Sequence, residues 1–164
     1  MKTFKLGEKA PNFELTSTTG ETYSLENERN GWQLIVFFRG SWCPVCQEDL
    51  KEYSDHLSKF TENNVSVVAI STDTNENLST FKQEYELKFP VLSDEKHEVF
   101  DAYGVFYHGE DAPYEDHGEH GEPGYFILDE EGHVLFQHRQ SGPFGRPDAE
   151  ALRKTIRYIQ KNLK

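Results

Sequence analysis

A chain of 164 residues, 35% hydrophobic and 13% aromatic, has the apolar mass of a folded domain and not the composition of a disordered chain. A formal net charge of −12 argues against nucleic acid or an anionic membrane surface as partner, since both demand clustered Lys and Arg. No segment approaches the ~20 apolar residues of a membrane span, and residues 1–10 are polar and lack a signal-peptide core, so the expectation is one domain over residues 1–164 in the cytoplasm.

In chain order, residues 11–25 read as a hairpin: Phe13 and Leu15 alternate with polar residues, and Thr19-Gly20 supplies the turn. Residues 33–38 (QLIVFF) form a continuous apolar run that suits a central strand buried on both faces. The run leads into Arg39-Gly40-Ser41-Trp42-Cys43-Pro44-Val45-Cys46. Cys46, Leu50, Tyr53, Leu57 and Phe60 then fall on one stripe, which predicts one helix ended by Asn63-Asn64. Residues 65–71 predict a second buried strand and 75–87 a helix. Residues 89–92 predict a short extended piece, and 97–103 a short helix capped by Asp94 and closed by Gly104. Residues 106–124 predict a polar loop of unusual length, rich in His, Asp and Glu. Residues 125–128 and 133–137 predict a late hairpin. Residues 148–163 predict a last helix that starts near Asp148, with Leu152, Ile156, Ile159 and Leu163 on its inner face. This order implies an α/β sandwich with a mixed central sheet, whose chemistry gathers beyond the C-terminal ends of the parallel strands.

The chain has 2 cysteines, and both stand at such an end. If the helix begins at this motif, Cys43 is its N-cap and Pro44 its first residue, where a missing N–H costs nothing. Free backbone N–H groups and the helix dipole then favour a thiolate at Cys43, below the free value of about 8.5. Cys46 lies three positions on, at a Cβ spacing of roughly 5–6 Å. A disulfide needs nearer 4 Å, so a small adjustment closes the bond. A structural disulfide is not expected in a reducing compartment, and the pair is read as redox-active. Other readings are two inert buried cysteines, or a metal site completed by His117 and His120. His108, His117 and His120 lie among acidic residues and suit either a weak cation-binding loop or a solvated excursion. Arg39 can supply positive charge or serve structure, and Trp42 can shape the site or pack the core. Arg146 lies in a turn-rich segment that helix-start chemistry already explains.

Four segments in order then resemble a known family. They are GEKAPNFELTSTTGETYSL, QLIVFFRGSWCPVCQEDL, KFPVLSDEKHEVFDAYGV and EPGYFILDEEGHV. Together they resemble the alkyl hydroperoxide reductase/thiol-specific antioxidant branch of the thioredoxin-like superfamily, the peroxiredoxins and their redoxin relatives. The resemblance implies a thioredoxin-like sandwich with an N-terminal β-hairpin and an oxidoreductase needing no bound cofactor. The family's peroxidatic motif Pro-x-x-x-Thr-x-x-Cys places its Cys on Cys46, its Thr on Cys43 and its Pro on Arg39. Pro123 stands where peroxiredoxins carry an Arg and where thioredoxin-type reductases carry a cis-Pro, which makes it a candidate cis-Pro. Phe37 stands where thioredoxin has a buried Asp. Two schemes follow. In one, Cys43 attacks a disulfide in a protein or small molecule and Cys46 resolves the mixed disulfide. In the other, Cys46 is oxidised by peroxide and Cys43 condenses with it. Cys-x-x-Cys, Trp42 and Pro123 favour the first, and either scheme needs a dithiol reductant such as a thioredoxin-type protein. A non-enzymatic redox sensor or metal-binding module is the remaining reading.

Overall fold

The computed structural model describes residues 2–110 and 118–163. Its elements are β1 (Glu14–Thr16), β2 (Thr22–Ser24), β3 (Trp32–Phe37), α1 (Pro44–Asp55), α2 (Leu57–Glu62), β4 (Val65–Ser71) and α3 (Asn75–Glu84). They continue as β5 (Val91–Ser93), α4 (Glu98–Ala102), β6 (Tyr107–His108), β7 (His120–Gly121), β8 (Gly124–Leu128), β9 (Val134–Arg139) and α5 (Ala149–Asn162).

The main sheet has the order β5-β4-β3-β8-β9. β3 pairs parallel with β4, and β4 with β5, while β8 runs antiparallel to both β3 and β9. β3 is central and buried at every position, which is why its sequence is apolar except for Gln33, whose side-chain amide donates to the Leu25 carbonyl at 3.1 Å. Its alternate residues feed opposite cores: Leu34 and Val36 one, Ile35 and Phe37 the other. The first core is closed by Leu50 and Tyr53 of α1, Phe60 of α2, Leu78 and Phe81 of α3, and Leu152 and Ile156 of α5. The second is aromatic. Phe37 meets Phe100 edge-on at 4.9 Å, and Tyr103 meets Phe126 at 5.2 Å. Such pairs contribute about 0.5–1.5 kcal/mol each beyond area burial. The buried Tyr103 hydroxyl donates to the Pro11 carbonyl at 2.6 Å, which offsets its desolvation.

Several boundaries differ from the sequence expectation, each for a local reason. The helix expected from Cys46 to Phe60 is broken at His56, whose backbone N–H and ring Nδ1 both reach the Glu52 carbonyl. α3 stops at Glu84, because Glu86 takes φ +52° and cannot continue a helix. α5 ends at Asn162, so Leu163 is exposed and not on the inner face. The expected loop at 106–124 holds the short pair β6–β7. Asp94 does cap as expected, accepting the N–H groups of Val99 and Phe100, and Asp148 accepts from Ala151 at 2.7 Å.

Candidate active site

The site lies where β3 hands over to α1. The connecting turn is fixed by Asp73, whose Oδ2 accepts the Ser41 N–H at 2.9 Å and its hydroxyl at 2.6 Å. Gln47 donates to the Ser41 carbonyl at 2.8 Å. Gly40 is required here, since a Cβ at that position runs into the Trp42 indole. Cys43 is the N-cap of α1, with extended backbone angles, and Pro44 follows in the first turn. The Cys43 sulfur accepts the Cys46 backbone N–H at 3.3 Å.

Two guanidinium groups converge on the sulfurs. Arg39 Nη1 lies 3.7 Å from Cys43 Sγ. Arg146 Nη2 lies 3.2 Å from Cys46 Sγ and 3.9 Å from Cys43 Sγ. Arg39 Nε donates to Glu122 Oε1, and its Nη2 lies 3.2 Å from His120 Nε2. The Trp42 ring lies 5.1 Å from the Arg39 guanidinium carbon and meets the His120 ring edge-on. Arg146 Nη1 pairs with Asp49 Oδ2 at 3.4 Å, and Nε donates to the Pro143 carbonyl. The Tyr125 hydroxyl donates to the same Asp49 oxygen.

These contacts separate the two thiols. Cys43 receives a hydrogen bond from the Cys46 thiol, with the Cys46 backbone N–H, Arg39 and Arg146 adding to it. Against the cost of burial they bring Cys43 down to about 5. Cys46 moves the other way, because burial disfavours its charge and its proton is given to Cys43. Burial lifts Asp49 to about 6 and also raises Glu122, against the pull of Arg39. The arrangement provides one thiolate and, beside it, a thiol that keeps its proton.

Both cysteines are buried, Cys43 at 1% and Cys46 at 0% exposure. Their surroundings are nevertheless not wholly apolar, since Arg146 reaches both sulfurs. Beside Arg146 opens a groove lined by Val45, Glu48, Asp49, Glu52, Pro143 and Phe144. Phe144 stands 71% exposed at its lip.

Of the residues singled out from sequence, Cys43, Cys46, Trp42, Pro44 and Arg39 come together. Pro123 does not behave as expected: no peptide bond among the described residues is cis. Pro123 instead carries an extended path into β8, and its carbonyl accepts the Gln140 N–H at 3.0 Å. Its neighbour Glu122 is the residue that reaches the cluster. His120 is buried beside Arg39, and His108 contacts the Ser141 carbonyl. His117 lies outside the described residues, among which no group of three or more His, Cys, Asp or Glu could hold a metal ion. Asp49, Asp73 and Tyr125 join the site without being expected from sequence, Glu122 enters it as a partner of Arg39 and not as part of a cation-binding loop, and Arg146 enters it although helix-start chemistry explains its segment. Asp49 alone carried a local signal, standing three positions after Cys46 on one helix face.

A mixed sheet whose central strand leads into a helix capped by a Cys-x-x-Cys pair is the arrangement of a thioredoxin-like fold. The chain belongs to the AhpC/TSA family, whose profile matches residues 6–137. It is 34% identical over 129 residues to a Mycobacterium tuberculosis protein named as a peroxiredoxin, Rv2521, covering 79% of this chain and 81% of that one. It is 29% identical over 132 residues to the thiol-disulfide oxidoreductase ResA of Bacillus thuringiensis subsp. konkukian, covering 80% and 68%. Among solved structures, Peroxidoxin BcpB from Mycobacterium tuberculosis superposes with a TM-score of 0.81 at 24% identity, over 96% of this chain and 99% of that one. That likeness establishes the shared fold. No helix among the described residues is long and apolar enough to cross a membrane.

Proposed function

We propose that the protein is a thiol–disulfide oxidoreductase, one thioredoxin-like domain over residues 1–164, in which Cys43 attacks and Cys46 resolves. The observation that carries this reading is the asymmetry of the pair. Cys43 is the N-cap of α1 and its sulfur faces the Cys46 backbone N–H and two guanidinium groups, which favour its thiolate, while Cys46 lies within the first turn, where burial and the neighbouring Cys43 favour the protonated thiol.

The Cys43 thiolate displaces one sulfur of a substrate disulfide R–S–S–R′. A bond forms between Cys43 and the R sulfur, and R′–S⁻ leaves and takes up a proton. Cys46 then loses its proton and attacks the Cys43 sulfur. The R thiolate departs, and a Cys43–Cys46 disulfide remains. A dithiol of the thioredoxin type returns two electrons and two protons. No bound cofactor takes part. Cys43 is nearly inaccessible as it stands, so the approach of a substrate requires a local opening of the site. Asp49, held by the same guanidinium and with its acidity reduced by burial, is a suitable acceptor for protons passing through the site.

Membership of the AhpC/TSA family, with Arg146 set 3.2 Å from Cys46 Sγ, supports a second reading. Here Cys46 takes an oxygen from a peroxide to become a sulfenic acid and releases an alcohol or water. Cys43 then condenses with it, expelling water. Intact-mass measurement on two variants separates the schemes. Under the first, Cys46→Ser treated with a small aromatic disulfide retains one half of it, covalently bound at Cys43, and Cys43→Ser retains none. Peroxide turnover with a sulfenic acid on Cys46 of Cys43→Ser supports the second scheme and contradicts the first.

A further inference from the structure

The His-rich acidic segment between α4 and β8 brings a carboxylate into the site. Glu122 is 0% exposed, its N–H is held by the Phe106 carbonyl at 2.8 Å, and Pro123 follows it, so its backbone is fixed in an extended path. Its Oε1 accepts from Arg39 Nε. Its Oε2 makes no hydrogen bond among the described residues and lies 3.3 Å from His108 Nε2, which contacts the Ser141 carbonyl at 2.8 Å. A buried carboxylate with one oxygen unsatisfied is a poor way to gain stability, because desolvation consumes most of what the ion pair returns.

The geometry gives it another use. A guanidinium is a rigid planar fork, so contacts on two of its edges fix where the third arm points. Arg39 meets Glu122 through Nε and His120 through Nη2, and its Nη1 lies 3.7 Å from Cys43 Sγ. His120 Nδ1 lies 2.9 Å from the Gly118 carbonyl, so it carries the proton and Nε2 presents a lone pair to Arg39. We infer that Glu122 is a positioning residue: together with His120 it orients Arg39 so that one arm of the guanidinium is directed at the nucleophile's sulfur. This rests on Cys43 being the attacking thiol, as proposed above. Among the described residues, the charged or titratable groups facing that sulfur are Arg39, Arg146 and Cys46, and those facing Glu122 are Arg39, His108, His120 and, at longer range, Arg146.

The test follows the ionisation of Cys43 by NMR in protein labelled with ¹³C at the cysteine Cβ, which resolves the two thiols. Glu122→Gln keeps an acceptor for Arg39 Nε, so the Cys43 midpoint stays in place or falls. Glu122→Asp withdraws the carboxylate by one methylene and Glu122→Ala removes it. Each lets the fork rotate, and the midpoint is expected to rise by about one pH unit, the worth of one hydrogen bond to a charged group. The apparent pKa in kcat/KM for a small disulfide should rise in parallel. Glu122→Asp preserves charge and nearly preserves volume, so the inference stays testable if Glu122→Ala fails to fold. An unmoved midpoint in Glu122→Asp overturns the inference and leaves a packing role. A lowered midpoint in Glu122→Asp or Glu122→Ala also overturns it, showing that the carboxylate only damps the field of Arg39. Failure of the reading beneath it has a different signature, namely a wild-type Cys43 that ionises no more readily than Cys46.

Discussion

Arg146 donates to Cys46 Sγ at 3.2 Å although the two residues stand 100 positions apart in the chain. The contact ties the loop ahead of α5 to the first turn of α1. It also places a fixed positive charge 3.9 Å from the Cys43 sulfur.

Replacing that charge is expected to weaken the thiolate and make the couple more reducing. In Arg146→Gln the Cys43 midpoint should rise by about one unit. The thiolate form of the dithiol is then less stable, so the disulfide is favoured. By linkage, about one pKa unit corresponds to about 30 mV for a two-electron couple. Equilibration against a glutathione redox buffer checks this, with the potential of Arg146→Gln more negative than wild type.

The depressed Cys43 pKa also makes the stability of the reduced protein depend on pH. The group sits at about 5 in the folded state and at about 8.5 when unfolded. Its stabilisation is therefore fully present above about 8.5 and is lost as pH falls to about 5. Urea unfolding of reduced wild type and reduced Cys43→Ser should give a stability difference that grows between those limits and is flat outside them.

Gly40→Ala forces a Cβ into the Trp42 indole and so lifts Trp42 from Arg39. Overpacking of this kind costs about 1–3 kcal/mol. For a chain of this size that lowers Tm by roughly 2–12 °C. Thermal unfolding checks this, with the midpoint of Gly40→Ala below that of wild type.

Tyr53→Phe removes the hydroxyl that donates to the Pro147 carbonyl at 2.8 Å and so anchors the start of α5 to α1. The expected loss is about 1 kcal/mol, read by denaturant midpoint. Hydrogen exchange should be faster in residues 141–147 than in wild type.

The elements that carry the cysteines were legible because their signals are local. β3 is buried at every position and apolar but for Gln33, and it runs into Pro44 beside an N-cap Cys43, so a strand, a helix start and a dithiol follow from one stretch. The N-cap and first-turn roles of Cys43 and Pro44 needed no partner from elsewhere. The rest of the site was not legible because it is assembled from distant segments. Arg146 sits in a turn-rich stretch whose glycines and prolines explain themselves, and nothing nearby marks its side chain for two sulfurs. Glu122 is one acid among many in a polar segment, and only the pairing of β6 with β7 brings it onto Arg39. The isomer of Pro123 is hidden for a related reason: its adjacency to the late strand is local, whereas its carbonyl pairs with the Gln140 N–H, a partner 17 positions away in the chain. The break at His56 depended on one ring nitrogen finding a carbonyl, which a stripe of apolar residues does not encode.

The most direct measurement is the separate titration of both thiols in the reduced wild-type protein by ¹³C NMR of labelled cysteine. Cys43 is expected to ionise first, near pH 5, while Cys46 keeps its proton well beyond the ordinary thiol range. Cys46 ionising ahead of Cys43 would contradict the assignment of attacker and resolver.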